Sequence, residues 1–347
     1  MSIKKVYDWY AKEGYLTASV NGGLTVYNYT ARTVYEGNWN YHTLTARGLV
    51  LDGDGRVIAR PWPKFFNVNE RPDTQLAALP KETPELADKY DGSLVIVFRD
   101  PAAGAWQACT RGSWDNAQSA WANGWLRKNG ERLDPGFTYL FELVAPWNRI
   151  VILYPEETMV LLGVVHTESG EDWPYRRVRE WGLERGLDAV RFETRPLESV
   201  RLEDRSVVQQ EGYVARFGNG FRVKLKYLQY LHLHRLVTGL SVKGIWELLA
   251  TGTPVDLALV PDEFLGWFEE EKAKLLHRKR ELEFRARELF DALPNLPDRK
   301  AYAESILKLD LPYPPILFRM LDGRPCEDLL WKHVKPEEHR TFQRNEP

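Results

Sequence analysis

Alternating apolar and polar positions dominate the first two thirds of the chain. Leu24-Thr25-Val26-Tyr27-Asn28-Tyr29 and Gly48-Leu49-Val50-Leu51 read as strands. Asp52-Gly53-Asp54-Gly55 reads as a hairpin turn into Arg56 to Arg60. The β-branched run Leu94-Val95-Ile96-Val97-Phe98 reads as a buried strand entered through the tight turn at Asp91-Gly92. Lys89 then stands at the mouth of a strand, facing a cleft. The stretch 72–84 is a polar, proline-marked connection. Helical spacing predicts helices over 114–129 and 175–185. Residues 137–141, 149–154 and 159–165 read as further strands, and 211–225 as a hairpin turning at Gly218-Asn219-Gly220.

Near residue 235 the pattern changes and strand signals vanish. Residues 244–250, 262–293, 299–307 and 314–321 have helical periodicity, punctuated by Pro294, Pro297, Pro312, Pro314 and Pro315. Charges of both signs at i,i+4 spacing over 269–288 read as a solvated helix face. There is no internal repeat and no low-complexity segment. The expectation is an α+β chain: an antiparallel-sheet domain over 1–240, then a smaller all-helical domain over 241–347.

Composition narrows the classes. A length of 347 residues suits about two domains. With 47 basic and 49 acidic residues the net charge is −2, so any nucleic-acid footprint must be local. No run of about 20 apolar residues exists, so no membrane span is expected. The start of the chain lacks the apolar core of a signal peptide. Cys109 and Cys326 are far apart and form no metal-type cluster. That spacing predicts free thiols in a reducing cytosol, so a cytoplasmic location is expected.

Several charged residues stand where charge is expensive. Glu142 lies inside the apolar strand Tyr139-Leu140-Phe141-Glu142-Leu143-Val144, and Glu211 opens Glu211-Gly212-Tyr213-Val214. Lys224 and Lys226 alternate with Val223 and Leu225, so both amines share one strand face. Arg47, Lys64 and Arg111 occupy comparable strand-mouth positions. Each alone fits an ordinary structural role: Glu142 a buried acid paired with an arginine, the two lysines the wet face of an edge strand. Together they describe a phosphate site with metal-binding acids. A lysine amine becomes a nucleophile when nearby cations and desolvation lower its pKa. Lys224, Lys226, Arg47 and bound Mg²⁺ would supply that field. They would also neutralise a triphosphate and the charge developing at the transferring phosphorus.

Lys89-Tyr90-Asp91-Gly92-Ser93 resembles the KxDGS motif of covalent nucleotidyltransferases: DNA ligases, RNA ligases and capping enzymes. The order Lys89, Glu142, Glu211, Lys224/Lys226 is similar to that superfamily's motif order. Within it, the chain most resembles the ATP-dependent RNA ligase 1 type, the phage tRNA-repair ligases, over about residues 24–235. The carrying segments are Tyr27-Asn28-Tyr29, Arg47-Gly48, residues 60–70 around Lys64, residues 141–151 around Glu142, Glu211-Gly212-Tyr213-Val214 and Lys224-Leu225-Lys226.

The resemblance implies a nucleotidyltransferase (ATP-grasp-like ligase) fold and the cofactors ATP and Mg²⁺ or Mn²⁺. It implies that Lys89 carries AMP and that Arg47, Lys64, Lys224 and Lys226 handle phosphates. Glu142 and Glu211 would serve the sugar and the metal, and Asp256 would add a metal ligand. Tyr27, Asp91, Gly92 and Ser93 would line the ATP site, Arg111 would touch the nucleotide or the RNA end, and Phe66 and Tyr230 would buttress the pocket. The implied partners are single-stranded RNA ends, tRNA among the candidates, met by a monomer in a bacterial or phage-infected cell. The C-terminal third matches this type poorly, which leaves the natural RNA open.

Two rival classes stay open. A DNA ligase or capping enzyme shares the motifs but normally carries an OB domain where this chain reads helical. A non-catalytic RNA-binding protein on a ligase-like core would have little need of Lys89.

Overall fold

Three sheets organise the first of two compact units, which run from Met1 to Val237 and from Thr238 to Pro347. The computed structural model describes residues 2–204, 207, 209–238, 241–253, 262–310 and 312–336.

The first sheet follows chain order, β1 (Leu16–Asn21), β2 (Leu24–Tyr29), β3 (Arg47–Leu51) and β4 (Val57–Ala59), all antiparallel. Its inner strands β2 and β3 are buried on both faces, and the alternation in the sequence divides the two. Leu24, Val26 and Val50 enter the main core, while Tyr27, Tyr29, Leu49 and Leu51 pack with Tyr7 of helix α1 (Ile3–Lys12). Short helices α2 (Ala31–Tyr35) and α3 (Tyr41–Thr45) fill the β2–β3 connection. Asn40 caps α3 by accepting from the Thr43 amide at 3.3 Å.

The second sheet, ordered β10-β9-β7-β8, joins β7 (Ser93–Asp100), β8 (Ala105–Thr110), β9 (Phe137–Val144) and β10 (Thr158–His166). The Asn116 side chain accepts from the Ser119 amide at 2.8 Å, so helix α4 (Ala117–Asn129) begins three residues after the predicted start. Helix α5 (Tyr175–Glu184) packs on β10.

The third sheet, ordered β11-β6-β12-β13-β5, takes strands from distant parts of the chain. They are β5 (Phe66–Asn67), β6 (Glu85–Lys89), β11 (Phe192–Thr194), β12 (Gly212–Arg216) and β13 (Arg222–Lys226). The β12–β13 hairpin matches the sequence expectation. Leu86, Tyr213, Ala215, Val223 and Leu225 point into a second core. Ala87, Lys89, Lys224 and Lys226 therefore take the opposite face. Helix α6 (Leu228–Thr238) follows β13 directly.

One strand expected from the sequence is absent. Residues 149–154 form no ladder. The amides of Val151 and Ile152 instead both donate to Oδ2 of Asp91, each at 2.8 Å, so a side chain has taken the donors a strand would use.

In the second unit every regular element among the described residues is a helix. These are α7 (Val242–Thr251), α8 (Asp262–Asp291), α9 (Arg299–Ile306), α10 (Tyr313–Leu321) and α11 (Glu327–Val334). Ala286, Ile306, Ile316, Leu317 and Leu330 form their core. The charged face of α8 carries pairs such as Lys274–Glu270 at 2.7 Å, as its spacing predicted. Among the described residues no helix is long and apolar enough to cross a membrane.

Candidate active site

Lys89 is the last residue of β6 and Ser93 the first of β7, so the Lys89–Ser93 segment crosses from the third sheet to the second. Across the third sheet, Gly212 pairs in register with Lys89 on one side and with Lys226 on the other. Cross-strand partners project to the same face, so the two lysines flank Gly212. A side chain there is impossible: φ is +148°, and an added Cβ would lie 1.8 Å from the Leu225 carbonyl oxygen.

Glu211 ends the row. Its Oε2 accepts from Lys89 Nζ at 2.7 Å and its Oε1 contacts Lys226 Nζ at 2.9 Å. The Glu211 side chain is 3% exposed and that of Lys89 is 21% exposed. Burial alone would raise the Glu211 carboxyl, but Lys226 and Lys89 together hold it below the usual carboxylate range.

The second acid behaves oppositely. Glu142 sits mid-strand in β9 and accepts from the Gly92 amide at 3.2 Å. Burial pushes its carboxyl up to about 7, with Glu211 adding to the rise, against the pull of Lys89 and Arg47. Two neighbouring acids are thus driven apart, one firmly ionised and one poised near neutrality. Gly92 permits this packing, since a Cβ there would meet the Leu143 carbonyl oxygen at 2.3 Å.

Phe65 lies between two cations, the Arg47 guanidinium 5.4 Å and the Lys224 amine 5.5 Å from its ring centre. Lys64, 6% exposed, has its amine 5.2–5.7 Å from the ring centres of Phe66, Tyr29 and Trp39. Arg111 donates to the Tyr29 hydroxyl at 2.9 Å. The segment carrying Lys64 and Phe66 enters β5, where Asn67 pairs with Lys224.

Asp91 does not face the lysine row. It is 2% exposed, and its Oδ1 accepts from the Tyr230 hydroxyl at 2.8 Å while Oδ2 takes the two amides of the 145–157 loop. The Asp91 amide donates to the Tyr154 hydroxyl at 3.1 Å, and Ser93 Oγ donates to Asn148 Oδ1 at 3.1 Å. Asp91, Ser93 and Tyr230 thus bind the lysine segment to this loop and to α6. Tyr27 stands apart: fully buried, its hydroxyl donates to Asp8 and accepts from Lys4. Asp256 lies outside the described residues.

Sequence reasoning missed Asn148, Tyr154 and Trp39. Pro146 followed by Asn148 argued against a strand and could have exposed the first two as loop residues. Trp39 carried no signal in its neighbours.

Two carboxylates near several cations suit a divalent ion that also binds substrate phosphates, because Mg²⁺-type ions use one or two protein carboxylates and keep several waters. Among the described residues no cluster of three or more acidic, histidine or cysteine side chains forms a metal cage of its own.

Comparison with known proteins identifies the family. The family model described as RNA ligase matches residues 45–230, more than half of the chain. An RNA ligase of Rhodothermus phage RM378 is 25% identical over 297 residues, 64% of this chain and 67% of that protein. A protein of Thermovibrio ammonificans provisionally named an RNA ligase is 31% identical over 134 residues, 36% of this chain and about a third (34%) of its own length. Among solved structures, a protein of Aquifex aeolicus provisionally named an ATP-dependent DNA ligase superposes with a TM-score of 0.51 at 13% identity. That superposition covers 93% of this chain and 99% of the other and speaks to the shared α+β fold. The chain belongs to the RNA ligase family and is an enzyme of that class.

Proposed function

We propose that this RNA ligase is ATP-dependent, joins 5′-phosphate to 3′-hydroxyl ends of single-stranded RNA, and works through a lysyl-AMP on Lys89. The observation that carries this reading is the row Lys89–Gly212–Lys226, capped by the shared Glu211 carboxylate.

In the first step Lys89 Nζ forms a P–N bond to the α-phosphorus of ATP, the bond to the pyrophosphate oxygen breaks, and the amine proton leaves to solvent. Lys224, Lys226 and Arg47 stabilise the charge on the phosphates, and Lys64 and Arg111 serve the nucleotide or the RNA end. Glu142 and Glu211 would hold a divalent ion, Mg²⁺ or Mn²⁺, which supplies further neutralisation of phosphate charge. In the second step an oxygen of the RNA 5′-phosphate attacks the same phosphorus and Lys89 leaves, giving an RNA-adenylate. In the third the 3′-hydroxyl attacks the 5′-phosphate and AMP departs. Phe66, Gly92 and Ser93 shape the pocket wall, with Asp91 and Tyr230 acting from behind it.

The reading assigns the chemistry to residues 1–240 and a role in substrate choice, tRNA included, to 241–347. It places the enzyme in the cytoplasm of a bacterial or phage-infected cell, acting as a monomer. The family match and the phage RNA ligase relative support it over a DNA ligase or capping enzyme. The test compares single-stranded 5′-phosphorylated RNA with a nicked duplex. Single strands should join or circularise without a bridging complement. Much faster sealing of the nick contradicts the reading.

A further inference from the structure

We infer that Trp147 and Trp121 form a stacking platform for a base of the RNA strand next to the end being joined. This rests on the ligase reading above. A ligase must hold RNA close to its adenylated lysine, and the 145–157 loop is fastened to the lysine segment through Asn148, Val151, Ile152 and Tyr154. That loop carries large apolar side chains outward: Trp147 is 43% exposed and Leu153 is 52% exposed. Their exposure adds nothing to the core, which this loop reaches through the buried side chains of Val151 and Ile152.

The indoles are held in place. Trp147 Nε1 donates to Glu157 Oε1 and Trp121 Nε1 to Glu157 Oε2, each at 2.8 Å, so one carboxylate orients both rings. Trp121 lies one turn beyond Gln118 on α4, and Gln118 donates to the same Asn148 oxygen that accepts from Ser93, at 3.0 Å. A polar chain therefore runs from the lysine segment through Asn148 to Gln118, one helical turn from Trp121. Arg149 on the same loop is exposed, two residues from Trp147, and its Nε donates to the Val151 carbonyl at 3.1 Å. An exposed, oriented indole with a cation on the same loop suits a nucleotide: every base offers a π-face, and a cation can meet the phosphate.

The experiment uses the full chain and two readouts, self-labelling with ATP and joining of a short 5′-phosphorylated oligoribonucleotide below saturation. Trp147→Ala should leave labelling unchanged and slow joining by about tenfold, as the loss of one base stack does. Trp147→Phe should restore most of the rate, and Glu157→Ala should act in the same direction as Trp147→Ala. In the wild type, an abasic nucleotide at one position near the reacting end should slow joining, and the same RNA should lose nothing further with Trp147→Ala. If joining is unchanged by Trp147→Ala, the exposed indole serves a protein surface and the inference is wrong. It is equally wrong if labelling falls in parallel, or if no abasic position matters to the wild type. A wild type that does not label itself overturns the ligase reading and the platform with it.

Discussion

Lys89 Nζ and Glu211 Oε2 are 2.7 Å apart, so the candidate nucleophile is tethered to an acid that Lys226 also grips. The amine must leave this acid to reach phosphorus. A divalent ion drawing the Glu211 carboxylate toward itself, or the phosphates of ATP drawing the Lys89 amine, would release it. Glu211→Gln should therefore be harmful twice over. Removing the shared charge from a buried ion cluster should cost about 3 kcal/mol of stability, measured by urea unfolding. Self-labelling should fall by about two orders of magnitude or more.

Lys224 and Lys226 share the strand face of Lys89, and the same face should act on the phosphates. Alanine at either should slow self-labelling by about two to three orders of magnitude with the fold intact, as loss of one oxyanion donor does. Single-turnover labelling measures this. A loss below about threefold at both would mean the face does not meet the triphosphate.

The two acids should leave opposite marks on the pH dependence of stability. The Glu142 carboxyl is raised to about 7, so its contribution is fully present below its unfolded value and is lost as pH rises through about 7. The Glu211 carboxyl is depressed, so its contribution is present above its unfolded value and is lost as pH falls through its lower folded value. Glu142→Gln, a mimic of the protonated acid, should match the wild type at or below about pH 4. At pH 8 it should be more stable by about 3 kcal/mol, the equivalent of a shift from 4.5 to about 7. Thermal unfolding without divalent ions measures the difference, and an equal gap at both pH values would contradict the assignment.

Asp91 accepts three hydrogen bonds while almost fully buried. Asn at this position keeps one acceptor oxygen and turns an NH₂ toward donors. Asp91→Asn should therefore destabilise by about 2–4 kcal/mol and slow labelling, whereas Tyr230→Phe, losing one bond, should cost about 1 kcal/mol. Denaturant unfolding of both variants separates the two effects.

Much of this was legible in the sequence because strand alternation and motif order are local signals. The β12–β13 hairpin, the shared face of Lys224 and Lys226, and the mid-strand Glu142 follow from residue parity alone. What parity cannot show is which distant strands become neighbours. Nothing local to Lys89 says that Gly212 and Lys226 lie beside it, or that Glu211 closes the row. The expectation of a strand over 149–154 failed for a related reason: Arg149 to Tyr154 looks β-like, but its amides answer to Asp91, some 60 residues earlier. Tyr27 is a case of correct element and unforeseen partner. Its strand is as expected, yet its hydroxyl turns to α1, a helix the pattern did not reveal.

The most direct test is covalent. The protein is incubated with Mg²⁺ and α-labelled ATP or GTP, denatured, and examined on a gel. Label from ATP should stay on the protein through an acid-labile, base-stable P–N bond, and Lys89→Ala should abolish it. Label that survives Lys89→Ala, or that comes preferentially from GTP, would contradict the account.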